Sequence, residues 1–172
     1  MQLETQRLIL RKPTPADVDD YLEFVNSRFV MRYNAMEPVT REKAEAEFAN
    51  PRDDLGTLAL ELKATGKVIG MIYTHPDSLR YRVASKEFSY FLREEEAGKG
   101  YMKEALGCLI AHLFEAEQLC CVTARCFLPN VASRRLLESL GFQREGILRN
   151  CVKGFEGTVF DDCLYSLMKE DL

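Results

Sequence analysis

The sequence predicts an α+β domain, a mixed sheet of about six to seven strands flanked by about four helices. From Lys86 to Phe114 the pattern passes from a two-residue alternation to a three- and four-residue recurrence across a glycine-containing turn, so a strand feeds directly into a long helix. Two pairs of β-rich segments are each joined across a short connection that contains glycine, which makes hairpins and hence antiparallel pairing. Helical segments separate the remaining strands, and the order β, α, α, β, β, β, α, β, α, β, β gives mixed pairing.

Arg7 to Lys12 reads as the first strand. Thr14-Pro15-Ala16-Asp17 then supplies a cap, a proline at the first helical position and an acid in the first turn of a helix reaching about Ser27. Arg28 to Thr40 has no period but carries Phe29, Met31, Tyr33 and Met36, the composition of a loop that covers a site. Arg41 to Asn50 is a second helix stopped by Pro51. Thr57 to Lys63, with Leu58, Leu60 and Leu62 inward, pairs with Val68 to Thr74 across Ala64-Thr65-Gly66-Lys67, and His75 to Ser85 is a connection. Along Lys86 to Arg93, Phe88, Tyr90 and Leu92 share one face; Glu87, Ser89 and Phe91 share the other. Beyond the turn, Met102, Ala105, Leu106, Leu109, Ile110, Leu113 and Phe114 form one helical stripe. Cys121 to Phe127 is a strand, Pro129-Asn130 opens a helix closed by Gly141, and Phe142 to Val152 with Thr158 to Met168 form the last hairpin.

With 172 residues, 47% hydrophobic and 29% charged, the chain has the length and balance of one globular domain spanning 1–172. A net charge of -4 and a pI near 5.4 argue against nucleic acid as a partner, since such binders turn a basic field to the phosphates. No apolar run is long enough to span a bilayer, and MQLETQRLIL has neither the apolar core nor the small-residue cleavage site of a signal peptide, so a cytoplasmic protein is expected. The cysteines at 108, 120, 121, 126, 151 and 163 contain no Cys-x-x-Cys pair and read mostly as small core hydrophobes in a reducing compartment. His75 and His112 are too few and too far apart for a metal site, and no metal is expected.

Strand, glycine loop and helix together form an anion-binding arrangement. Gly98 and Gly100 leave the backbone approachable, and the first free amides of the helix point at whatever sits there. Spacing excludes two nucleotide motifs: Lys103 stands where a dinucleotide fingerprint needs its third glycine, and Arg93 and Gly100 stand where a P-loop needs glycine and Ser or Thr. The loop resembles the pyrophosphate-binding turn of the GNAT acetyltransferases, Gln/Arg-x-x-Gly-x-Gly/Ala, with Glu95 in place of Gln or Arg. Asn130-Val-Ala-Ser-Arg-Arg-Leu-Leu-Glu-Ser-Leu-Gly-Phe142 resembles the Asn-x-x-Ser-x-x-x-Leu-x-x-x-Gly-Phe segment of Rim-type enzymes, which acetylate ribosomal-protein amino termini, and Glu4 to Arg11 resembles their opening.

The resemblance implies a mostly antiparallel GNAT fold and direct transfer of an acetyl group from acetyl-CoA to a primary amine, such as a protein or peptide N-terminus. It places the pantetheine arm on the backbone of Phe91, Leu92 and Arg93, the pyrophosphate on Gly98, Lys99, Gly100, Tyr101 and Met102, and Asn130 and Ser133 beside the cofactor. Asn130 can be only the cap of its helix or both cap and cofactor neighbour, and Ser133, on the stripe with Leu136, Leu137 and Leu140, faces inward and needs a partner, a backbone carbonyl or the cofactor. Glu87 is the candidate base for the amine and Ser133 the candidate proton donor to the thiolate, whereas Glu94 to Glu96 read as a solvated turn. A homodimer is admitted. Two alternatives stay open: a small-amine acetyltransferase, acting on an aminoglycoside or polyamine, and a non-catalytic acyl-CoA-binding module.

Overall fold

A computed structural model of the chain describes residues 2–51 and 55–172. Its strands are β1 (Gln2–Glu4), β2 (Leu8–Arg11), β3 (Thr57–Leu62), β4 (Val68–Pro76), β5 (Ser85–Leu92), β6 (Cys121–Phe127), β7 (Gln143–Lys153) and β8 (Val159–Met168). They form one sheet in the order β1-β2-β3-β4-β5-β6-β8-β7. Among the described residues only β5 and β6 pair in parallel, and every other neighbouring pair is antiparallel. The helices are α1 (Val18–Val25), α2 (Arg28–Met31), α3 (Arg41–Ala49), α4 (Tyr101–Ala116) and α5 (Val131–Ser139). The mixed α/β architecture is the expected one, with an extra edge strand, β1, and an extra one-turn helix, α2.

Local chemistry fixes the ends of these elements. Asp17 Oδ2 accepts from the Thr14 amide at 2.7 Å, and Arg11 donates two hydrogen bonds of 2.8 Å to the same carboxylate, tying β2 to the entry of α1. Ser27 and Thr40 cap α2 and α3 through side-chain oxygens. Gly141 ends α5 at φ +91°, and the Phe142 amide returns to the Leu137 carbonyl at 3.1 Å.

Helices cover both faces of the sheet. All seven predicted stripe residues of α4 are buried, packed with Leu58, Leu60, Ile72 and Phe88 from one face. On the other face, Tyr21, Phe24 and Val25 of α1 and Ala44 and Phe48 of α3 pack on Ala59, Met71 and Tyr73. The faces of β5 follow the predicted alternation: Tyr90 and Leu92 pack with the α4 layer and Phe91 with the α1–α3 layer.

Three readings are corrected. β4 runs on to Pro76, so His75 belongs to a strand and not to the following connection. Arg28 to Thr40 is not all loop, because α2 occupies its first turn. Cys121, Cys126 and Cys163 are buried as expected, but Cys120 and Cys151 are exposed and Cys108 is half-buried. Among the described residues no group of three His, Cys, Asp or Glu side chains could hold a metal ion, and no helix is long and apolar enough to cross a membrane.

Candidate active site

β5 and β6 pair only from Ser85↔Cys121 to Phe88↔Ala124, after which they part. β5 continues against β4 as far as Leu92↔Gly70, while β6 continues against β8 as far as Phe127↔Asp162. The parting opens a wedge in the middle of the sheet. Backbone direction decides which groups face it. The Arg93 amide donates to Ile69 at the β4 side at 2.8 Å, and the Ala84 carbonyl accepts from Cys120 at the β6 side at 2.8 Å. Alternate residues of a strand turn their N–H and C=O groups to opposite neighbours. Tyr90 and Leu92 therefore face the wedge, and Phe91 and Arg93 face β4. Of the predicted backbone trio Phe91, Leu92 and Arg93, only Leu92 addresses the gap, and Tyr90 joins it. The Arg93 side chain is turned to α1, where it donates to Glu23 Oε2 at 2.7 Å.

The glycine loop lies at the open end of this strand. Gly98 and Gly100 hold φ +75° and +82°, values that suit residues without a Cβ. A Cβ on Gly98 would meet nothing within 4 Å, so the space beside the loop is open. Gly100 caps α4, leaving the amides of Tyr101, Met102 and Lys103 among the helix donors without an intrahelical acceptor. Arg7 braces the turn: it donates to the Lys99 carbonyl at 3.0 Å and to Glu104 Oε2 at 2.6 Å, and its guanidinium lies 4.3 Å from the Tyr101 ring centre. Glu95 is exposed on a 3-10 turn, Glu94–Glu96.

On the α4 face of the wedge, Ser133 Oγ is hydrogen-bonded to Tyr90 Oη at 2.6 Å. That is the partner a partly buried serine requires. Asn130 is the N-cap of α5, its Oδ1 accepting from the Ser133 amide at 3.2 Å. Burial pushes the Tyr90 phenol well above its ordinary pKa, against the hydrogen bond with Ser133, so it keeps its proton at neutral pH. Burial likewise pushes the nearby Cys126 thiol up to about 12. A thiol in that state is a poor nucleophile.

On the opposite face lies a cavity of about 490 Å³. Tyr73, His75, Ser89 and Phe91 form its sheet side, and Met31, Asn34 and Met36 approach from α2 and the loop after it. That loop is held over the site. Tyr33 Oη donates to the Pro129 carbonyl at 3.3 Å, the Phe155 amide donates to the Asn34 carbonyl at 2.9 Å, and Tyr33 meets Phe127 edge-on with ring centres 6.2 Å apart. The covering role expected of Arg28 to Thr40 thus has a physical basis. Glu87 shares this sheet face but is absent from the cavity lining among the described residues. Arg125 Nε donates to Glu87 Oε1 at 2.9 Å and lies 3.9 Å from Asp162 Oδ2. Tyr73, His75 and Ser89 were not singled out in the sequence as site residues, although the alternation Met71, Tyr73, His75 puts them on one face.

Residues 7–143 match the acetyltransferase (GNAT) domain family. A Bacillus subtilis protein bearing the name uncharacterized N-acetyltransferase YoaA is 32% identical over 173 residues, which cover 97% of this chain and 96% of that one. The solved structure of a ribosomal-protein-S5-alanine acetyltransferase from Vibrio fischeri is similar with a TM-score of 0.86 at 21% identity, over 99% of this chain and 98% of that one. Mycobacterium smegmatis RimJ in complex with CoA-disulfide gives 0.79 at 19% identity, over 100% and 89%. The structural likenesses speak for the fold, and the sequence matches, which run along most of the chain, for the family: the protein is a GNAT N-acetyltransferase.

Proposed function

We propose that the protein transfers the acetyl group of acetyl-CoA directly to the free amino terminus of a protein or peptide. The observation that carries this reading is the parting of β5 and β6, which leaves the Tyr90 and Leu92 backbone facing a wedge that ends at the open Gly98–Gly100 turn. A pantetheine arm carries amides that can pair with such an edge as an added strand would. The pyrophosphate then falls on the amides from Gly98 to Met102, where the helix dipole favours negative charge. A Tyr90 or Leu92 amide facing the thioester oxygen stabilises the charge that develops there. Ser133, with Tyr90 behind it, stands on the α4 face to give a proton to the departing sulfur, and the cavity on the other face takes the amine. A peptide terminus is favoured as acceptor by the Rim-like Asn130–Phe142 segment and by the acceptors named for the structural relatives.

Acetyl-CoA is expected to raise the melting temperature by mass action. Mixing the protein with acetyl-CoA, a peptide bearing a free N-terminal alanine, spermidine and an aminoglycoside, then weighing the products, tests the whole reading. An acetylated peptide supports it. Acetylation of the small amines alone replaces the acceptor, and binding without any product leaves an acyl-CoA-binding module.

Gly100→Val should weaken acetyl-CoA binding at least about tenfold, because a branched side chain there crowds the phosphates and strains a left-handed residue by about 1–2 kcal/mol. The fold should survive, since an added Cβ makes only an ordinary 3.5 Å contact with Arg7 Nη2. Calorimetric titration reads the affinity. Wild-type binding by this variant would move the pyrophosphate elsewhere.

A further inference from the structure

We propose that His75, acting through Ser89, removes the proton from the acceptor amine; the inference rests on the acetyl-transfer reading and names the group that makes the amine nucleophilic. Ser89 is the first β5 residue beyond the last β5–β6 pair, Phe88↔Ala124. Its side chain lines the cavity that the acetyl-transfer reading gives to the amine. His75 is one strand away, and its Nε2 lies 3.2 Å from Ser89 Oγ. The Tyr73 ring lies parallel to the imidazole, with centres 6.4 Å apart and planes 10° from parallel. Glu87, directly opposite His75 in the β4–β5 register, already holds Arg125 at 2.9 Å. The cavity therefore brings an imidazole and a hydroxyl, rather than that carboxylate, to the acceptor.

With the neutral imidazole protonated on Nδ1, Nε2 accepts from the Ser89 hydroxyl. An incoming ammonium gives a proton to Ser89 Oγ as Ser89 gives its own to His75 Nε2. The freed nitrogen lone pair forms the C–N bond to the thioester carbon, and the C–S bond breaks with its electron pair on sulfur. The new amide nitrogen loses its second proton to solvent, Ser133 gives its hydroxyl proton to the thiolate and is reprotonated from solvent, and His75 returns the first proton to solvent, so one proton is released per transfer. The ionisable groups around the pair are Tyr21 on α1, Glu37 in the covering loop, and Lys43 and Glu47 on α3, which line the same cavity, with Tyr73 and Asp77 at β4 and its end and Glu87 on β5.

The test is the pH profile of kcat/KM for the wild type, His75→Gln, Ser89→Ala and Glu87→Gln, with the N-terminal-alanine peptide and spermidine as acceptors. His75→Gln is expected to lose about 10²-fold near neutral pH, the scale of a positioned base. The loss should shrink above about pH 8, where the peptide's α-amine is itself deprotonated. The acidic limb should move up to that of the acceptor's own amine in His75→Gln and keep its wild-type position in Glu87→Gln, with acetyl-CoA affinity the same throughout. A folded His75→Gln within about threefold of the wild type with its acidic limb intact overturns the assignment. If His75→Gln melts far below the wild type, Ser89→Ala decides: a folded variant with an unchanged profile also overturns it. A wild type that acetylates neither acceptor overturns the transfer reading itself, and the assignment with it.

Discussion

Ser133→Ala is expected to lower kcat by about 10²-fold while leaving acetyl-CoA affinity unchanged, the signature of a group that acts only as the thiolate departs. The Ser133 hydroxyl is placed by two contacts: its own amide donates to the capping Asn130 Oδ1 at 3.2 Å, and its oxygen is 2.6 Å from Tyr90 Oη. Because burial holds the Tyr90 phenol protonated, Tyr90 can donate to Ser133 while Ser133 donates onward. Tyr90→Phe should therefore also slow turnover, by less than the serine variant, since the serine hydroxyl remains. Removing Ser133 Oγ leaves a largely buried phenol without its partner, which costs about 1–3 kcal/mol of stability. Melting curves and active-site titration separate the two effects. If the folded fraction of Ser133→Ala turns over at the wild-type rate, the contact with Tyr90 is structural and Ser133 leaves the mechanism.

Gly70→Val should be among the most destabilising single changes in the sheet. A Cβ built on Gly70 would stand 2.6 Å from the Phe91 carbonyl oxygen, 3.0 Å from Leu92 Cδ1 and 3.3 Å from Leu60 Cδ1. The nearest of these is backbone of the adjacent central strand, which can yield only by lifting β5 away from β4. Overpacking of this kind costs about 3 kcal/mol at the upper end of its range. For a domain of this size that is a fall of about 6–12 °C in Tm. The displaced segment includes Leu92, which borders the wedge, so acetyl-CoA affinity should fall as well. A Tm within about 2 °C of the wild type would mean that β5 shifts freely, and its backbone would then be a poor platform for a cofactor.

Much of this was legible in the sequence because it is local. The change of period between Phe88 and Met102 located the central strand, the turn and the long helix, and the buried stripe of α4 is the predicted one. Asn130 and Gly141 marked the ends of α5 because capping depends on a few neighbouring residues. The one-turn α2 was not legible, since four residues carry no period. The reading of β4 stopped at Thr74, whereas the strand runs on through His75 to Pro76, a proline being tolerated at a strand's end. What depends on distant pairing could not be read at all. Which backbone groups of β5 face the wedge follows from its register with β4. The Glu87 ion pair follows from the parallel neighbour that brings Arg125 beside it, and Tyr90 meets Ser133 across 43 residues.

The central claim is that the Tyr90 and Leu92 backbone receives the pantetheine arm. Residue-resolved amide exchange with and without saturating acetyl-CoA tests it most directly, because a newly made hydrogen bond protects the amide that donates it. The account predicts slower exchange at Tyr90, Leu92 or both when acetyl-CoA is present, with the Arg93 amide, already bonded to Ile69, unchanged. Bound acetyl-CoA that leaves both Tyr90 and Leu92 exchanging as before would contradict it.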